Sequence, residues 1–169
     1  TDMKPEYPTA HFLLWEAMKQ FLDSDHERFL FIDADIIIQK GTPSIFDEFE
    51  EGKMYMRTAH SFEKIEKWVI ESRKDGKWPK DDTFDPIGKM SNYFSSGAVL
   101  ADRKQVERFL EVAKPPFVIG PWLGEMAHYN YFIAKGNIPI ADMDPRWHYT
   151  RTWADGYKGK SLGSAGVDK

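Results

Sequence analysis

The stretch that most constrains this chain is Arg28-Phe29-Leu30-Phe31-Ile32-Asp33-Ala34-Asp35-Ile36-Ile37-Ile38-Gln39-Lys40. An apolar run with β-branched members reads as a buried strand. Two carboxylates interrupt it, and burying an unpaired carboxylate is very costly. The strand is therefore expected to end at Asp33, with both acids facing a cleft. There they would meet a cation or a set of hydrogen-bond donors.

The rest of the chain alternates in character. Apolar residues at helical spacing (Phe12, Trp15, Met18, Phe21, Leu22) predict a helix over 9–22 behind Pro8, broken by Asp23-Ser24-Asp25. Gly41-Thr42-Pro43 signals a turn, followed by a short helix over 44–49 and a strand over 53–58. Ser61 can cap a helix carrying Ile65, Trp68 and Val69 that ends near Gly76. Residues 74–90 read as a long loop, a candidate lid or acceptor loop. A second apolar strand spans 93–101 and is broken by Ser95-Ser96-Gly97. Asp102 then caps a helix with Val106, Phe109 and Leu110. Pro121 opens a helix through Lys135, closed by Gly136, and a short strand spans 138–141. From Thr150 onward the chain is a Gly-rich tail. Strands alternating with helices give an α/β layered fold. Ligands of such folds bind outside the carboxyl ends of strands, where Asp33 and Asp35 are expected.

Bulk properties narrow the function. With 169 residues, a single domain over 1–169 is expected, and 41% hydrophobic content with 15% aromatics argues for a packed core. A net charge of −4 without a dense Lys/Arg block argues against a nucleic-acid groove. With no cysteine there is no disulfide and no thiolate metal site. No apolar stretch approaches the roughly 20 residues of a membrane span. No signal peptide is visible, and the expected setting is cytoplasmic or membrane-peripheral.

Oxygen-only ligands such as Asp33 and Asp35 suit Mg²⁺ or Mn²⁺, whose shell diphosphate oxygens would complete. The alternative is that one aspartate caps the next element and the other is solvated. Glu125 falls near the start of a helix, where the dipole alone favours a carboxylate. Ser96-Gly97 fits a strand bulge as well as a ligand contact. His128 and His148 suit metal or sugar contact, or plain packing; His11 and His60 have less support. Trp122, Trp147 and Trp153 suit a carbohydrate platform or, as most of six tryptophans do, the core.

Phe29 to Ile38, followed by Pro43 and Ile45-Phe46, resembles the signature stretch of GT-A-fold glycosyltransferases, closest to glycosyltransferase family 8. Three further segments follow in the family's order. Asn92 to Leu100 resembles the Tyr-Phe-Asn-Ser-Gly-Val strand that lines the donor sugar. Glu125 to Asn130 is similar to the helix start Asp-Gln-x-x-Leu-Asn. Ile138 to Tyr149, with Asp144-Pro145-Arg146-Trp147, resembles a Leu-Asp-Pro-Arg-Trp-Asn-Tyr segment. The resemblance spans residues 4 to about 150.

This resemblance implies a three-layer α/β/α fold with a mixed sheet, lacking its N-terminal strand–helix–strand unit. It implies a retaining transferase that moves a sugar from a UDP-sugar to a carbohydrate or other hydroxyl acceptor. Asp33 and Asp35 would bind Mn²⁺ (or Mg²⁺); the family's third ligand is a histidine nearer the C-terminus, and His148, a candidate ligand by residue type, lies in a different segment. Asp33, Ala34, Asp35, Ser95, Ser96, Gly97, Asn130 and Lys4 would contact the donor, and Glu125 would be the carboxylate nearest the anomeric carbon. The chain departs from the family pattern with Ser95 for Asn, Glu125 for Asp and Met126 for Gln. Two other readings remain. One is a nucleotide- or carbohydrate-binding module without turnover. The other is a haloacid-dehalogenase-type phosphatase with Asp33 as nucleophile, although Ile37 stands where that motif places Thr or Val.

Overall fold

A computed structural model describes residues 13–34, 36–38, 40–61, 70, 73–74, 85, 88–113 and 124–147. Among the described residues, the elements with both ends described follow in the order α1 (Leu13–Leu22), β1 (Arg28–Ile32), α2 (Ile45–Glu48), β2 (Met54–Ser61), β3 (Asn92–Asp102), α3 (Arg103–Val112), α4 (Gly124–Lys135) and β4 (Ile140–Asp142). The expected helices at 9–22, 44–49, after Asp102 and at 121–135 and strands at 28–33, 53–58, 93–101 and 138–141 all have counterparts there. Of the helix expected after Ser61, only Ile70, Arg73 and Lys74 are described, and all three are helical; the rest of it, most of the 74–90 loop and the Gly-rich tail lie outside the described residues. Ser61 itself is the last residue of β2.

The strands form one mixed sheet in the order β1-β3-β2-β4. β3 runs antiparallel to both its neighbours, and β4 runs parallel to β2. So β1, β2 and β4 share one direction and bring their carboxyl ends to the same edge.

The pleat explains the unbroken apolar runs. Phe29, Met54, Met56, Val99 and Ala101 point to one face, while Tyr55, Ala98 and Leu100 point to the other. A strand buried on both faces has no polar face to alternate with. The first face carries α1, α3 and α4, whose Leu14, Trp15, Met18, Val106, Phe109, Tyr129, Phe132 and Ile133 complete the main core. Trp15 stacks on Tyr129 at 4.2 Å between ring centroids. The other face is thinner: Ile45 of α2, Phe49, Met143 and Trp147 cover it. The described residues thus form an α/β fold with a four-stranded mixed sheet.

Asp102 occupies the expected N-cap of α3 in extended conformation but makes no side-chain cap bond. Its carboxylate is diverted to the Gly52 N–H and to an ion pair with Arg28 Nε at 3.2 Å. Arg28 in turn donates to the Phe46 and Phe49 carbonyls and so ties the α2 end to the start of β1. The end of α4 also differs in detail from expectation. Asn137, not Gly136, takes the left-handed conformation, with φ of 46°. The Ile138 N–H reaches Ile133 O at 3.0 Å and the Asn137 N–H reaches Ala134 O at 3.1 Å, which together make a Schellman cap.

Candidate functional site

β1 ends at Ile32, one residue short of the expected Asp33. The Asp33 carbonyl accepts the Ile36 N–H at 3.1 Å, so the chain turns as soon as it leaves the strand. Asp33 and Ala34 are exposed on that turn. The physical argument against buried carboxylates therefore holds for Asp33. Asp35 lies outside the described residues.

Across from this turn, β3 is irregular. Met56 of β2 pairs with Val99, but the next residue, Arg57, pairs with Ser95. Ser96, Gly97 and Ala98 therefore have no partner on β2, and the strand bulges there. On its other side the bulge faces β1. Ala98 pairs with Ile32, and the Gly97 carbonyl accepts the Asp33 N–H at 2.8 Å. Two expected motif segments, more than sixty positions apart in sequence, thus meet in one backbone hydrogen bond. Ser95 and Ser96 are only 8% and 9% exposed, and the Ser95 hydroxyl accepts the Gly97 N–H at 3.3 Å.

Asn130, expected to contact the donor, reaches the same strand from α4 and bonds its backbone. Its Oδ1 accepts the Phe94 N–H, and its Nδ2 donates to the Phe94 and Met126 carbonyls, each at 2.8 Å. The residue is 1% exposed. With both amide hydrogens committed to backbone oxygens, it satisfies the Phe94 N–H and carbonyl, which lie beyond the stretch of β3 that β1 pairs.

The carboxyl end of β4 adds residues that sequence reasoning missed. Asp142 accepts Arg57 Nη1 and the Thr58 N–H, both at 2.6 Å. The Met143 N–H then reaches Met56 O at 2.9 Å. The usable signal was the one that exposed Asp33, namely a charge beginning where an apolar strand stops. Beyond Asp142, the Asp144 to Trp147 segment folds on itself. Asp144 Oδ1 accepts the Arg146 N–H at 2.8 Å, and Asp144 O accepts the Trp147 N–H at 2.9 Å. The Arg146 side chain, hydrogen-bonded to Asp144, holds that carboxyl below the usual aspartate range, with Arg57 adding to the effect. Arg146 also reaches Glu48 at 3.4 Å, joining this turn to α2.

Of the other expected residues, Lys4 and His148 lie outside the described residues, as do His11, Trp122 and Trp153. Glu125 belongs to the first turn of α4, with its side chain outside the description. His128 is 8% exposed within α4, and Trp147 packs on Phe49. Among the described residues, no three Asp, Glu or His side chains gather to hold a metal ion. Asp33 is the one described member of the expected ligand set, and its exposed carboxylate has the chemistry for a hard divalent ion. No helix among the described residues is long and apolar enough to cross a membrane.

Comparison with protein-family models, curated proteins and solved structures finds no match to this chain.

Proposed function

We propose that this chain carries the donor site of a metal-dependent glycosyltransferase of GT-A type, using a UDP-sugar and a hydroxyl acceptor, in the cytoplasm or at a membrane surface. One observation carries the reading: Asp33, exposed at the carboxyl end of β1, is bonded through its backbone to Gly97 of the Ser95-Ser96-Gly97 bulge. A nucleotide-sugar site needs both parts together, carboxylates for the diphosphate and its cation and a closely approachable backbone for the sugar.

In this mechanism the bond from the anomeric carbon to the diphosphate oxygen breaks, and its electron pair leaves with UDP. The acceptor oxygen forms the new bond and releases its proton. Asp33 and Asp35 would hold Mn²⁺ or Mg²⁺, which supplies charge neutralisation for the departing diphosphate. The Ser95–Gly97 bulge lines the sugar. Glu125 offers a carboxylate near the oxocarbenium-like centre, and retention of configuration follows from the family resemblance. Lys4 and His148 complete the proposed donor and metal contacts.

The test is Mn²⁺-dependent UDP release from a panel of UDP-sugars. Asp33→Asn and Asp35→Asn are each expected to abolish it, with thermal unfolding of Asp33→Asn near wild type because Asp33 is exposed. Full activity in either variant would sink the reading. Tight UDP binding without turnover would favour the binding module, and a phosphoenzyme trapped on Asp33 the phosphatase.

A further inference from the structure

The bulge in β3 poses a physical problem. Three consecutive residues, Ser96 to Ala98, lack partners on β2, yet β3 pairs with β2 on either side of them, with one further register shift between Thr58 and His60. A bulge leaves backbone groups unpaired and can migrate along a strand unless its flanks are fixed. Here two different elements converge on one flank, at Phe94 and Ser95. From the helical layer, Asn130 grips both the N–H and the carbonyl of Phe94. From β4, Asp142 grips Arg57 and Thr58, the residues of β2 that pair with Ser95 and Phe94. Arg57 has a side chain only 11% exposed, against 45% for Asp142, so its guanidinium lies against the sheet rather than out in solvent.

We infer that the Arg57–Asp142 pair is a positioning device. It holds β2 against β4 just beyond the bulge and, together with Asn130, keeps Gly97 directed at Asp33. The edge that meets a ligand is thereby preformed and needs no ordering on binding, which lowers the entropic cost of binding. The functional part of this inference rests on the donor-site reading; the structural part does not.

Hydrogen exchange measured residue by residue tests it without any ligand. In Arg57→Ala and Asp142→Asn, the Asp33 amide is expected to lose protection by about tenfold or more, while amides within α3 and α4 stay near wild type. Asp142→Asn keeps the side-chain shape and an acceptor for the Thr58 N–H, so it remains informative if Arg57→Ala fails to fold. Arg57→Lys, which keeps the charge, is expected to restore most of the protection. Unchanged protection at Asp33, or an equal loss across the whole chain, overturns the inference. Calorimetry with Mn²⁺ and UDP then separates the two ideas. Wild-type binding that Arg57→Ala weakens about tenfold while the fold is kept supports both. Absence of wild-type binding counts against the donor-site reading alone, and the exchange result still decides the positioning role.

Discussion

The carboxylate of Asp144 is committed to its own turn, and this has a pH signature. Hydrogen bonding to Arg146 lowers its proton affinity in the folded chain. An aspartate unfolds to a value of about 3.9. The native state therefore binds this proton more weakly than the unfolded state. The stabilisation is fully present above the unfolded value and is lost as pH falls through the lower folded value. In Asp144→Asn, the fall in melting temperature below pH ~4 should be shallower than in wild type. Because the pair is mostly exposed, the variant should melt at most about 2 °C lower at neutral pH. A thermal scan from pH 6 to pH 2 checks both points. Single residues were unevenly legible in the sequence. Asp33 stood out because a charge ended a long apolar run. Arg57 did not, because β2 mixes polar and apolar residues past Met56. Asn130 reads the same in sequence whether or not its amide meets a backbone, and its bond to the Phe94 N–H is visible only in the fold.

Among the elements, α4 shows how a helix end can be over-read. Gly136 suggested the left-handed cap, yet Asn137 takes that conformation. Glycine at 136 is required for space. A Cβ there would lie 3.1 Å from Ile138 Cγ1 and 3.2 Å from both Phe132 O and Val112 Cγ2. Gly136→Ala is expected to cost about 1–3 kcal/mol, since backbone and two packed side chains must yield. Asn137→Gly should be close to neutral, because glycine adopts the same φ without penalty. Urea denaturation of both variants is the check; the reverse ranking would mean that space does not select glycine at 136. The strands were legible because burial on both faces leaves long apolar runs. The interior of α4 carries no such signature, since Ala127 to Ile133 are all buried and the helix has no polar stripe. The expected cap at Asp102 failed for a related reason: Gly52 and Arg28 compete for its carboxylate.

At the scale of the whole molecule, one side chain ties distant parts together. Arg103, at the start of α3, donates to Leu22 O at 3.1 Å, Ser24 O at 2.6 Å and His26 O at 2.7 Å, and lies over the Phe21 ring at 4.9 Å. It satisfies carbonyls that the end of α1 leaves open and orients the approach to β1. Arg103→Met should lower stability by about 2–4 kcal/mol, because several carbonyls lose a charged donor at once. Equilibrium unfolding measures it; a loss of only a few tenths would show that water replaces these bonds at little cost. The overall architecture was legible from alternating strands and helices, but the strand order was not. The order depends on which residues pair across long separations, and β3 decides it by sitting between β1 and β2. That central place has a consequence for biosynthesis. β1 and β2 emerge from the ribosome before the strand that joins them. At about 5–20 residues per second, β1 waits several seconds for Asp102 to be added, longer until it clears the exit tunnel. During that interval Phe29-Leu30-Phe31-Ile32 is an unpaired apolar strand, the kind of nascent segment that holding chaperones recognise.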